Sequence, residues 1–260
     1  MKKFLLACAF IALPSFAAVG AENPWVGTWK LDVAKSHLTG DTFTLSKGAN
    51  GLYHHADGSA YTYDFGIDGK EYKTYANRTT TWTEVGKNAW NAVTKQDGNA
   101  IYEVRREVSP DEKTLTVTVT GKMPDGSPMN NVVTYARVSG KSGLLGKWRS
   151  AKVDMSVPDT VIVSAPAPGV LRFEYPAFKS VAEGKTDGAD FSATGPMQPA
   201  GYTMSMKLVA PNKLSYVYKL NGKPDSYSVQ TMAPDGKSFT DVSWPAGAQS
   251  EKTTSVYVRQ

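Results

Sequence analysis

From residue 23 onward the chain alternates apolar and polar residues with a period of two, and no window of about eleven residues there carries helical periodicity. Tyr61, Tyr63 and Phe65 alternate with Thr62 and Asp64, while Leu115, Val117 and Val119 alternate with threonines. β-branched and aromatic residues in this pattern suit a half-buried strand. Turn signals punctuate the runs: Asn50-Gly51, Asp57-Gly58, Asp68-Gly69, Asp97-Gly98 and Ser109-Pro110-Asp111-Glu112. The pattern predicts strands over 42–46, 52–55, 61–65, 71–75, 80–85, 90–95, 100–108, 113–120 and 132–138. Gaps of a few residues leave no room for crossover helices, so an antiparallel meander is expected.

The plan then repeats. Gly27 and Trp29 match Gly146 and Trp148, and Asp68-Gly69 matches Asp187-Gly188. Lys95-x-x-Gly98 matches Lys219-x-x-Gly222, Pro110-Asp111-x-Lys113 matches Pro234-Asp235-x-Lys237, and Tyr135-x-Arg137 matches Tyr257-x-Arg259. Order is kept throughout, with small drifts in offset that place insertions in loops. The expected organisation is a first β domain over 22–139, a linker over 140–143 and a second β domain over 144–260.

The first residues read as a secretory leader: Lys2-Lys3, an apolar run to Leu13, and small residues ending at Ala21, after which cleavage is expected. The expected location is therefore the periplasm or the exterior. The single cysteine, Cys8, falls inside this leader. A mature chain without thiols has no disulfide, no Cys-based metal site and no Cys nucleophile. Setting Lys2 and Lys3 aside leaves 27 basic against 24 acidic residues, a net charge of +3. The basic residues are scattered singly with no tract of stacking aromatics, which argues against a nucleic-acid partner. No apolar stretch of the mature part is long enough to span a bilayer as a helix, and the sequence identifies no protein partner.

A Gly-x-Trp on the first strand of an all-β unit of this length, with an Arg on its last strand, resembles the lipocalin and calycin barrels. Gly27-Thr28-Trp29-Lys30-Leu31-Asp32 and Ser109-Pro110-Asp111-Glu112-Lys113-Thr114-Leu115 are similar to segments of exported bacterial proteins with lipocalin-like repeats. The resemblance implies two tandem antiparallel barrels of eight to ten strands each. It also implies that each Trp plugs one end of its barrel beneath an Arg, a cation–π contact worth roughly 0.5 to 2 kcal/mol. Within contiguous domains the carry-over pairs Trp29 with Arg137 and Trp148 with Arg259, with Gly27 and Gly146 permitting close packing.

A small barrel holds one ligand or is filled by its own side chains. Tyr53, His55, Tyr61, Tyr63, Phe65, Tyr72, Trp82, Trp90 and Tyr102 are the candidate ligand-binding residues of the first barrel. Phe173, Tyr175, Phe178, Tyr202, Met204, Met206, Tyr216 and Tyr218 offer a comparable set in the second. Either set also serves as core. Tyr alternating with small polar residues is unusual for a dry interior, because buried hydroxyls need partners.

His54-His55 is the one histidine cluster, and strand neighbours point to opposite faces, so the two cannot share a metal from regular β geometry. No metal site and no cofactor are expected. The chain carries no Gly-x-Ser-x-Gly, no phosphate loop and no dinucleotide fingerprint, and no catalytic residue is assigned. The leading expectation is a protein that binds a small apolar or aromatic molecule in a barrel cavity. Two alternatives stand beside it: a cell-envelope interaction module with filled barrels, and a hydrolase or isomerase at the first barrel mouth with His54 or His55 as base.

Overall fold

A computed structural model describes residues 23–156 and 159–260; the expected leader lies outside them. The first half carries strands β1 (Gly27–Leu31), β2 (Thr42–Lys47), β3 (Tyr53–Ala56), β4 (Thr62–Phe65), β5 (Glu71–Lys73), β6 (Arg78–Gly86), β7 (Ala89–Gln96), β8 (Asn99–Val108), β9 (Thr114–Lys122) and β10 (Pro128–Ser139). The second carries β11 (Gly146–Asp154), β12 (Thr160–Ala167), β13 (Val170–Tyr175), β14 (Ser180–Lys185), β15 (Asp187–Phe191), β16 (Ala193–Thr194), β17 (Tyr202–Ala210), β18 (Lys213–Leu220), β19 (Lys223–Met232), β20 (Ser238–Pro245) and β21 (Thr253–Arg259). All pairings between them are antiparallel, and they build two nearly closed barrels of ten and eleven strands. Among the described residues no helix is long and apolar enough to cross a membrane.

The barrels do not coincide with the contiguous domains expected over 22–139 and 144–260. The first sheet runs β4-β3-β2-β11-β10-β9-β8-β7-β6-β5, and the second runs β15-β17-β18-β19-β20-β21-β1-β12-β13-β14-β16. Each repeat therefore gives its Gly-x-Trp strand to the other barrel. The reason lies in the expected linker over 140–143. Residues 140–145 join β10 to β11 within one sheet, and so short a loop makes the two strands a hairpin. The chain passes between barrels instead after β1 and after β11.

This exchange corrects the Trp–Arg pairing. Arg137 stands directly across from Trp148 in the β10–β11 ladder, and its Cζ lies 4.0 Å from the indole ring. Arg259 faces Trp29 across β21 and β1, with Cζ 4.2 Å from that ring. The two ends are built alike. Trp148 Nε1 donates to Leu144 O and Trp29 Nε1 to Trp25 O, both at 2.9 Å. Arg137 donates to Leu145 O at 2.8 Å and Gly143 O at 2.7 Å, and Arg259 to Val26 O at 2.6 Å and Pro24 O at 2.7 Å. Both glycines have positive φ, +144° at Gly27 and +130° at Gly146. A Cβ on Gly27 would collide with Arg259 Nη1, and one on Gly146 with Ser139 O. Both Trp side chains are completely buried, each in its own barrel's core.

Side-by-side contacts then lock the barrels. Glu251, before β21, accepts from Thr42 N at 3.0 Å, from the Thr42 hydroxyl at 2.6 Å and from Lys147 Nζ at 3.3 Å. His37 exchanges both backbone hydrogen bonds with Thr254. Arg78 Nη2 donates to Met197 O at 2.7 Å, and Gln96 Nε2 to Pro196 O at 2.9 Å.

Candidate functional site

Inside the first barrel lies a cavity of about 370 Å³ walled by His55, Tyr61, Tyr63, Trp82, Tyr102 and Arg106, with Thr and Val side chains between them. Five of the nine aromatic or histidine candidates are thus brought together. The other four are not. Phe65 is fully buried and stacks on Trp82 with centroids 4.1 Å apart, so it supports the wall from behind. Trp90 is buried in the core, and Tyr53 stacks on Phe65 at 5.4 Å under the ammonium of Lys47. The Tyr72 hydroxyl donates to Asp68 Oδ2 at 2.9 Å in a turn. Period two gives the face of a strand but not the depth along the barrel, which is where these four differ.

The strand alternation divides the histidine pair. His54 points outward and holds Asp64 Oδ1 at 2.7 Å on an exposed surface. His55 points inward, stacks on Tyr63 at 5.0 Å and on Phe43 at 5.5 Å, and its Nδ1 is buried without a partner. Burial pulls its pKa down to about 4, against a weaker upward pull from Asp57, so the ring is neutral at pH 7. Burial also pushes the Tyr61 and Tyr63 phenols above their usual range, which leaves them as neutral hydroxyls.

Arg106 lies outside the aromatic candidates. On β8 the inward face is Tyr102, Val104, Arg106 and Val108, so the period-two rule places Arg106 inside and Arg105 outside. Arg105 pairs with Glu107 at 2.8 Å on the surface. The Arg106 guanidinium lies over Trp82, Cζ 4.2 Å from the ring, and Nη1 is buried with no hydrogen-bond partner. Its inner neighbour on that face, Val108, belongs to the core around Trp148, so Arg106 sits at the deep end of the cavity. Burial lowers its pKa from the ordinary guanidinium value, yet an arginine remains charged at neutral pH.

The second barrel has a cavity of about 430 Å³ bordered by Asp159, Tyr175, Phe178, Tyr202, Met204 and Tyr218, with Arg78 of the first barrel at its rim. Phe173, Met206 and Tyr216 are packed core instead. A relay of rings joins the two cavities: Tyr61 to Tyr75 at 4.8 Å, Tyr75 to Tyr202 at 6.2 Å and Tyr202 to Tyr218 at 6.3 Å. A broader groove of about 880 Å³ between the barrels runs past Tyr102, Lys122, Lys179 and Met197.

No family model, curated protein or solved structure matches the chain. The site must therefore be read from its own geometry.

That geometry is a walled apolar volume with hydroxyls and one cation. Among the described residues no carboxylate is hydrogen-bonded to Nδ1 of the inward His55.

Proposed function

We propose that this is an exported, lipocalin-like binding protein that holds a small ligand with an apolar or aromatic body in its first barrel. The observation that carries the reading is the 370 Å³ cavity bounded by His55, Tyr61, Tyr63, Trp82 and Tyr102. Its volume lies in the range of small-molecule sites, where mostly apolar walls supply affinity and a few polar groups fix orientation. A hydrolase or isomerase draws less support: a histidine with a pKa near 4 is a weak base, and the His54–Asp64 pair faces away from the cavity.

Native mass spectrometry of the protein purified gently from its own compartment tests the proposal. A retained small molecule is expected on the intact chain and absent from Ala92→Tyr, which fills the cavity as Tyr216 fills the matching place in the second barrel. Persistently empty protein, together with no uptake of small aromatic probes by the wild type, overturns the reading.

A further inference from the structure

The deep end of the first cavity holds a cation with nothing to neutralise it. Among the residues bordering the cavity Arg106 is the only formal charge, since His55 is neutral and no Asp or Glu is present. Asp57, two residues from the inward His55, is engaged by the backbone N–H of Ser59 at 3.0 Å and by its hydroxyl at 2.5 Å. Burying an unpaired charge is costly, because lost hydration is not replaced.

The fold itself does not require the charge. Arg106 stands across from Val117 between β8 and β9, and the same register in the second barrel sets Gln230 across from Asp241 between β19 and β20. There the polar groups satisfy one another. Tyr216 Oη donates to Gln230 Oε1 at 3.1 Å, and Gln230 Nε2 donates to Asp241 Oδ2 at 3.0 Å. A neutral amide suffices at this place, so the positive charge of Arg106 answers some other need.

We infer that Arg106 is the anchor for an anionic group, and that the ligand of the first barrel is a monoanionic carboxylate with a compact aromatic or branched apolar body. This rests on the binding proposal above. The guanidinium carbon lies 4.2 Å from the Trp82 ring and Nη1 has no hydrogen-bond partner, and a carboxylate matches a guanidinium fork with two oxygens. Tyr61, Tyr63 and Tyr102 border the same volume and carry hydroxyl donors that suit a second lone pair. A single cation suits a single negative charge. A phosphate dianion would bring a second charge into a site with no second cation to meet it.

Isothermal titration of the intact protein with 2-naphthoate and with 2-naphthylmethanol, its neutral analogue, tests the anchor. The wild type should bind the carboxylate at least tenfold more tightly than the alcohol. Arg106→Gln, which borrows the residue of the second barrel, should reduce that preference to about one while alcohol binding persists. Ala92→Tyr should abolish both, which places binding in this cavity. Equal affinities in the wild type, or a preference that survives Arg106→Gln, overturn the anion anchor and leave the cavity reading standing. No uptake of either probe by the wild type overturns both. The wild-type comparison alone carries the test if Arg106→Gln does not fold.

Discussion

The two barrels share their closed ends and differ in their interiors. Trp148 under Arg137 and Trp29 under Arg259 use the same indole-to-carbonyl bond, the same left-handed glycine and the same stacking distance within a few tenths of an ångström. Inward from there the ladders keep register while the side chains change. Trp82 across from Ala92 becomes Met206 across from Tyr216, and Ala92 across from Val104 becomes Tyr216 across from Ser228. A small residue on β7 leaves the first barrel hollow down to Arg106, whereas Tyr216 fills that level in the second. The polar group at this level changes too, from the Arg106 guanidinium to the hydrogen-bonded Gln230–Asp241 pair. The end of such a barrel is thus a structural constant, and the interior is where two copies of one plan diverge.

The largest expected effect tests which barrel owns β1. Deleting residues 23–36 should open the second barrel and spare the first, read as lost hydrogen-exchange protection in β12 and β21 with β2 to β11 still protected. Loss of protection centred on β2 and β10 would restore the contiguous arrangement. Next, Trp29→Ala and Trp148→Ala should each cost about 3 to 5 kcal/mol in urea unfolding, since each removes a fully buried indole. Unequal costs would show that the ends are not energetically alike.

Mild acid should then separate the interiors. Burial depresses the pKa of His55 from 6.5 to about 4, so its neutral ring stabilises the first barrel fully above the unfolded value, and that contribution is lost as pH falls from 6.5 toward 4. Burial raises the pKa of Asp241, so its contribution is present below the ordinary 3.8 and is lost as pH rises through the raised value. Hydrogen exchange at pH 7 and pH 5 should find the first barrel weakened by acid, and a series carried on toward pH 3.8 should find the second strengthened. His55→Phe, matching Phe173, should abolish the first trend, and Asp241→Asn the second. The smallest effect is a coupling energy. A double-mutant cycle of Trp29→Ala with Arg259→Met should give roughly 0.5 to 2 kcal/mol, while Trp29→Ala with Arg137→Met should be additive.

Most of the strand pattern was legible because period-two alternation and Gly-containing turns act locally. The predicted 42–46, 90–95 and 100–108 fall inside β2, β7 and β8, whose bounds run at most a residue or so wider. The exchange of first strands was not legible. Trp29 and Trp148 carry the same flanking signals, and either Arg suits either ring, so repeat matching cannot distinguish the two partnerings. What decides is the short loop over 140–145, a hairpin signal that reads equally well as a domain boundary. Aromatic content pointed to the first barrel's interior, where the cavity brings His55, Tyr61, Tyr63, Trp82 and Tyr102 together. It passed over Arg106, whose inward parity on β8 was available from its alternation with Tyr102, Val104 and Val108.

The exchange of strands also sets an order in which the molecule can be completed. Arg259 and Val26, which meet at the closed end of the second barrel, stand 233 positions apart in the chain. A strand made near the start can pair with β12 on one side but must wait on the other until the last strand has been synthesised, while β2 to β11 can assemble from a contiguous stretch. Contacts so distant in sequence form late and slowly. The first barrel is therefore expected to mature ahead of the second, with one edge of β1 left open during the interval. That interval is when a chaperone or an aggregating neighbour has its opportunity.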